Sequence, residues 1–256
     1  MAEITDTTNS ENKKDYRSNS LLRLTIRGIF RQRSAIIGGT ILIILILVAI
    51  FAPVIAPYDP EEVLIGKEDL KKRAAPCIHL LGCPEDQPQH LMGMDGNVRD
   101  MFSRIVYGTR VSLQIGISIV LFAATIGTIL GAIAGYSGGS TDNVIMRFLD
   151  VVLSFPSLLL AIAIVFVMDD RSLFNAMLAI AIVSIPAYAR VVRSSVITLR
   201  EADYVEASRA LGASNFEILT RRILPNALPP LIILATLGIA TAILDTAALS
   251  FLGLGA

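Results

Sequence analysis

The chain has 256 residues and a mean hydropathy of +0.65, with 54% apolar and only 17% charged side chains and no Trp. An ordinary soluble domain carries about 25% charged residues, which argues against a water-soluble fold around one core. The 22 basic and 22 acidic side chains cancel, which argues against a nucleic-acid partner held by net charge.

Residues 1–20 are polar, rich in Asn, Thr and Ser, and read as disordered. Residues 21–33 alternate Leu, Ile and Phe with arginines. A solvated basic flank outweighs a short helix on the inner membrane surface here. Together, 1–34 read as a cytoplasmic N-terminal segment.

Five runs then lack Asp, Glu, Lys and Arg: 34–58, 111–141, 151–168, 172–189 and 223–244. A helix needs about 20 apolar residues to cross a hydrocarbon core of about 30 Å. Lipid offers backbone polar groups no water, so such runs form helices. The predicted spans are 35–56, 111–136, 145–168, 173–189 and 226–248, giving an all-α polytopic bundle. The first run is too long for the apolar part of a signal peptide and reads as a retained anchor.

The polar segment 57–110 holds both cysteines and both histidines: Cys77, His79, Cys83 and His90. Cys77 and Cys83 are spaced for a small disulfide loop, and an extracytoplasmic position permits oxidation. A disulfide or two inert thiols outweigh zinc ligation, because the Cys-x-His-x3-Cys-x6-His spacing matches no established zinc motif. We assign no metal centre.

The second span carries Ala123, Gly127, Gly131 and Gly135 at four-residue spacing, a face on which helices approach closely in lipid. Arg147 and Asp150 lie at the inner end of the third span and Asp245 near the outer end of the fifth. All three are placed where an interface is within reach. No ionisable group sits at midplane, as an ion-driven carrier would require.

Between the last two spans, 199–225 reads as two short helices. Asp203–Leu211 ends at Gly212, a natural C-terminal residue. Ser214 with Glu217 forms a capping box, and Pro225 ends the second helix. Phe216, Leu219 and Ile223 fall near one face. An amphipathic linker resting on the membrane competes with a docking element for another protein.

Residues 1–34 and 190–222 together carry 13 basic and 8 acidic side chains; 57–110 with 169–171 carry 8 and 11. The positive-inside rule therefore predicts a cytoplasmic N-terminus and a cytoplasmic 199–225 loop.

Glu206-Ala207-Ser208, Gly212 and Leu224-Pro225 resemble the EAA loop of ABC importer permeases. Ser208 replaces the second Ala of that pattern, and Arg222 takes its Ile slot with Ile223 beside it. The resemblance continues through His90, Gly93, Asp95, Arg99, Asp100, Arg104, Tyr107, Gly108, Arg110, Ser112 and Leu113, with Met94 and Val98 at usual Thr and Gly positions. Tyr136, Gly138, Gly139, Asp142, Arg147, Asp150, Phe155 and Pro156 extend it, as does the run from Leu249 to Gly255. This combination resembles the C-type permease of dipeptide/oligopeptide/nickel importers, with a type I importer fold.

That resemblance implies a bacterial or archaeal inner-membrane subunit, not itself an enzyme, with a permease core at 111–256. Glu206, Ala207, Ser208, Gly212, Leu224 and Pro225 would dock an ATP-hydrolysing subunit. It implies two ATP-binding subunits, a second homologous permease and an extracytoplasmic solute-binding protein as partners. ATP and Mg would bind those partners and no cofactor this chain; no G-x-x-x-x-G-K-[ST] phosphate loop occurs in it. The family also leads us to expect a sixth span after Leu249–Gly255, where this sequence has five. An ATP-independent carrier or channel is the main alternative. A membrane enzyme fits poorly without H-E-x-x-H or intramembrane carboxylate pairs, and a membrane scaffold is the residual reading.

Overall fold

The computed structural model describes residues 32–65, 72–84, 86–168 and 172–255. The N-terminal segment to Arg31 and the 169–171 connection, with the readings placed on them, lie outside the described residues. Helices dominate: α1 (Arg33–Ile55), α2 (Met101–Ser137), α3 (Gly139–Leu153), α4 (Ser157–Val167), α5 (Leu173–Arg200), α6 (Asp203–Ala210) and α7 (Asn215–Phe251). Four of them, α1, α2, α5 and α7, are long and apolar enough to cross a membrane.

The core is a three-helix assembly in which α2 packs most extensively on α5 and α7 closes against both. The small-residue face of α2 makes this contact. A Cβ on Gly127 would lie 2.6 Å from the Tyr188 Cβ, and one on Gly135 would lie 2.8 Å from the Arg193 carbonyl oxygen. At Gly131 it would fall inside the Ala189 carbonyl. The α2–α5 backbones therefore approach as closely as glycine alone permits. Helix α1 packs on the bundle mainly through α2, and most of its apolar surface stays open.

Four helix boundaries differ from expectation. The third span, expected as one helix over 145–168, is two helices bent by 90° at Ser154–Pro156. Pro156 has no N–H and disfavours helical backbone at Phe155, so the chain turns there. At 11 residues, α4 is about 16 Å long and too short to cross a membrane alone.

Helix α2 begins ten residues earlier than the charge-free run, because the Asp100 carboxylate caps it by accepting from the Ser103 N–H at 2.7 Å. The polar connection after α1 thus ends at Asp100 instead of Arg110. Helix α5 likewise runs eleven residues past Ala189, to Arg200.

Pro225 does not end a helix. Asn215–Glu217 leads through a π-helical turn, Ile218–Ile223, straight into Leu224–Phe251. The wider turn accommodates the missing N–H of Pro225, and the Asn226 side-chain amide donates to the Arg222 carbonyl at 2.6 Å.

The connection between α1 and α2 has its own small core of Leu64, Met94 and Val98. Cys77 pairs with His90 as a short antiparallel bridge, and Cys77 and Cys83 are joined by a disulfide. His90 is buried, stacks on Tyr58 and bonds Asp100 at 2.9 Å through Nδ1. Val98 holds φ +57°, a left-handed conformation that a β-branched residue rarely adopts, at a position where the resembled family has Gly.

Candidate functional site

The segment joining α5 to α7 is built as a tethered platform. Helix α6 ends in a turn where Gly212 takes φ +85°, with Gly212 N–H donating to Arg209 and Ala213 N–H to Ser208. Ser214 then caps α7, its hydroxyl accepting from the Glu217 N–H at 3.2 Å. Only this half of the capping box forms. The Glu217 carboxylate instead accepts from Arg221 at 3.2 Å, one turn on.

One face of the platform is locked into the bundle: Val205, Ile218 and Ile223 are fully buried. The other face projects apolar side chains outward, with Leu211 89% and Phe216 77% exposed. Phe216 and Ile223 therefore do not share a face, because the π turn between them rotates the helix out of its 3.6-residue register. Glu206, Ala207, Gly212 and Pro225 are exposed, whereas Ser208 and Leu224 are half-buried. The Ser208 hydroxyl donates to the Tyr204 carbonyl at 2.7 Å.

Polar contacts tie the platform segment to the end of α2 and tie α5 to α3. The Tyr136 hydroxyl donates to Asn215 Oδ1 at 2.8 Å. Arg200 Nη1 donates to the carbonyls of Gly135 and Tyr136, at 3.3 and 3.2 Å. Arg193 grips Asp142 with two N–H groups, both at 2.5 Å, and Arg190 meets Asp150 at 2.6 Å. The sequence marks Asp142 and Asp150, and Arg193 and Arg190 as part of a basic flank, but not their pairing across 51 and 40 positions. Arg190 and Arg193 immediately follow a charge-free run, and that was the available signal.

Farther along the bundle, α4, α5 and α7 enclose an open cleft of about 430 Å³. Ser157, Ser184, Tyr188, Thr241 and Asp245 supply its polar side chains among mostly aliphatic ones. Asp245 thus faces a cavity shared by three helices. The cysteines take no part in either feature. Their sulfurs bond to each other, and no cluster of three metal-ligating side chains occurs among the described residues.

Two family models match the chain: the binding-protein-dependent transport system inner membrane component over residues 127–256, and the N-terminal TM domain of oligopeptide transport permease C over 20–76. A dipeptide transport system permease protein of Haemophilus influenzae is 43% identical over 228 residues, 89% of this chain and 74% of that protein. One from Alkalihalophilus pseudofirmus is 45% identical over 241 residues, 94% and 74% of the two chains. A glutathione transport system permease protein of Pectobacterium atrosepticum is 40% identical over 230 residues, 90% and 72%. With its several membrane-crossing helices, this multi-pass chain belongs to the family of inner-membrane components of binding-protein-dependent transport systems.

Proposed function

We propose that the chain is one membrane-embedded half of an ATP-driven importer of peptides, moved by nucleotide-hydrolysing subunits that bind the 199–225 platform. The observation that carries this reading is the two-sided build of that platform. Apolar Leu211 and Phe216 face outward from an element whose other side is anchored by Val205, Ile218 and Ile223. Exposed aromatic and aliphatic side chains on a rigid base suit a protein partner. The contacts of Asn215 and Arg200 would pass a push on the platform to α2 and α5, and the Arg193–Asp142 pair would carry it from α5 to α3.

The chain carries no phosphate-binding loop of the G-x-x-x-x-G-K-[ST] kind, so ATP and Mg belong to two partner subunits. A second homologous permease would complete the pathway, and an extracytoplasmic binding protein would deliver cargo. The charge bias of the sequence favours a cytoplasmic N-terminus and platform in the cell's inner membrane. ATP binding would then shift the bundle between outward-open and inward-open arrangements. The peptide class comes from the dipeptide and glutathione transport names of the relatives.

Co-purification of the ATPase subunits tests the reading. A chain carrying Glu206→Lys with Gly212→Trp should insert in the membrane but lose them. Retention at wild-type stoichiometry would refute docking at the platform.

A further inference from the structure

The cleft between α4, α5 and α7 is polarised toward cations. Its lining includes Asp245 but no Lys, Arg or His. The Ser184 hydroxyl spends its proton on the Ile180 carbonyl at 2.7 Å, and Thr241 on the Gly238 carbonyl at 3.0 Å. Both oxygens are thereby left to the cleft as acceptors.

Tyr188 is 3% exposed and lines the same space, yet its hydroxyl has no hydrogen-bond partner among the described residues. Its ring reaches α7 only because residue 238 is glycine: a Cβ there would overlap the phenol oxygen. Asp245 likewise makes no hydrogen bond or ion pair among the described residues, although it is half-buried.

A carboxylate half-removed from water without a counter-charge is unfavourable, and a donor-rich cation relieves it. Calcium would demand six to eight oxygen ligands, more than this mostly aliphatic lining suits. A primary ammonium needs about three acceptors, and about 430 Å³ accommodates a molecule the size of a dipeptide.

We propose that this cleft binds a primary ammonium group, with Asp245 as its counter-ion and Ser184, Thr241 and Tyr188 as flanking oxygens. Resting on the importer reading above, the cargo's free amino terminus is that ammonium. Asp245 lies about 30 Å along α7 from Pro225, at the end remote from the platform, where cargo from an external binding protein would arrive.

The assembled transporter in lipid nanodiscs tests this with a carboxyl-directed carbodiimide, followed by peptide mass analysis at Asp245. Propylammonium should slow labelling of Asp245 about ten-fold, while propanol at the same concentration should not. In proteoliposomes, Asp245→Asn should cut dialanine uptake about ten-fold and Asp245→Glu should restore most of it. Labelling indifferent to propylammonium would overturn the proposal. So would an Asp245 already shielded without added ammonium, since a cation of the second permease would then occupy the site. If propylammonium protects but the wild-type transporter takes up no dialanine, the ammonium site stands and the peptide reading fails.

Discussion

Asp142, near the start of α3, accepts two hydrogen bonds from the single guanidinium of Arg193 on α5, both at 2.5 Å. The carboxylate is 14% exposed and the guanidinium 33%. A paired, planar contact of this kind fixes orientation as well as distance. It holds the first half of the broken helix to the middle of the bundle, just beside the platform.

Removing either partner strands the other. We expect Asp142→Asn or Arg193→Gln each to destabilise the chain by about 1.5–3 kcal/mol. The double variant should lose clearly less than the sum, because the partners form one contact. Thermal unfolding in detergent measures all three, and strict additivity would mean that the pair contributes no coupling.

The close approach of α2 and α5 makes an opposite pair of glycine predictions. Gly131→Ala forces a methyl into the Ala189 carbonyl and should cost about 1–3 kcal/mol, as overpacking does. Gly108→Ala meets nothing within 4 Å and should be neutral or stabilise by up to about 1 kcal/mol through helix propensity. If the two variants unfold at the same temperature, α2 and α5 are farther apart than described.

Much of this arrangement was legible beforehand because lipid-facing helices exclude charge over long runs, so 34–58, 111–141 and 223–244 mark helices directly. The turn after α6 was legible too, since Gly212 and Ser214 have local reasons to be where they are. Helix ends outside the apolar zone were not. The cap at Asp100 and the charged turns with Arg104 and Arg110 follow ordinary soluble rules that a charge-free run cannot register. Proline was misleading in both directions. Pro156 breaks a helix inside an apolar run, whereas Pro225 is absorbed by a π turn. The outcome depends on whether neighbouring backbone can satisfy the freed carbonyl. The cation-poor lining around Asp245 needs three helices brought together, and no local pattern contains it.

The connection between α1 and α2 should be acid-sensitive. Burial alone would raise the Asp95 pKa, but N–H donation from Arg99 and Asn97 and the charges of Arg104 and Arg99 outweigh it, leaving it below the ordinary 3.8. A lowered carboxylate pKa contributes stability that is complete above the unfolded value and lost as pH falls through the folded one. Amide protection factors across residues 93–104 (measured rate against the intrinsic rate at the same pH) should therefore be high at pH 7 and fall below about pH 4. In Asp95→Asn the low protection should already be present at pH 7. Equal acid sensitivity in that variant would assign the effect to another carboxylate.

Opposite faces of the platform should respond differently to the same substitution. Phe216 is 77% exposed, so Phe216→Asp removes no core contact and should leave the unfolding temperature within the range of ordinary surface changes, about 0.5 kcal/mol. Val205 is fully buried with Ile218 and Ile223, so Val205→Asp places a carboxylate in an apolar site and should disorder the segment. Both variants should fail to retain ATPase subunits, but for separate reasons. Limited proteolysis distinguishes them: new cleavage within 199–225 is expected for Val205→Asp and not for Phe216→Asp. An exposed aromatic at the centre of a protein contact is worth about 2 kcal/mol or more, so Phe216→Asp should weaken ATPase retention by about thirty-fold or more. Retention unchanged in Phe216→Asp, with Leu211→Asp also without effect, would show that this apolar face meets no partner. The push on the bundle would then have to enter elsewhere.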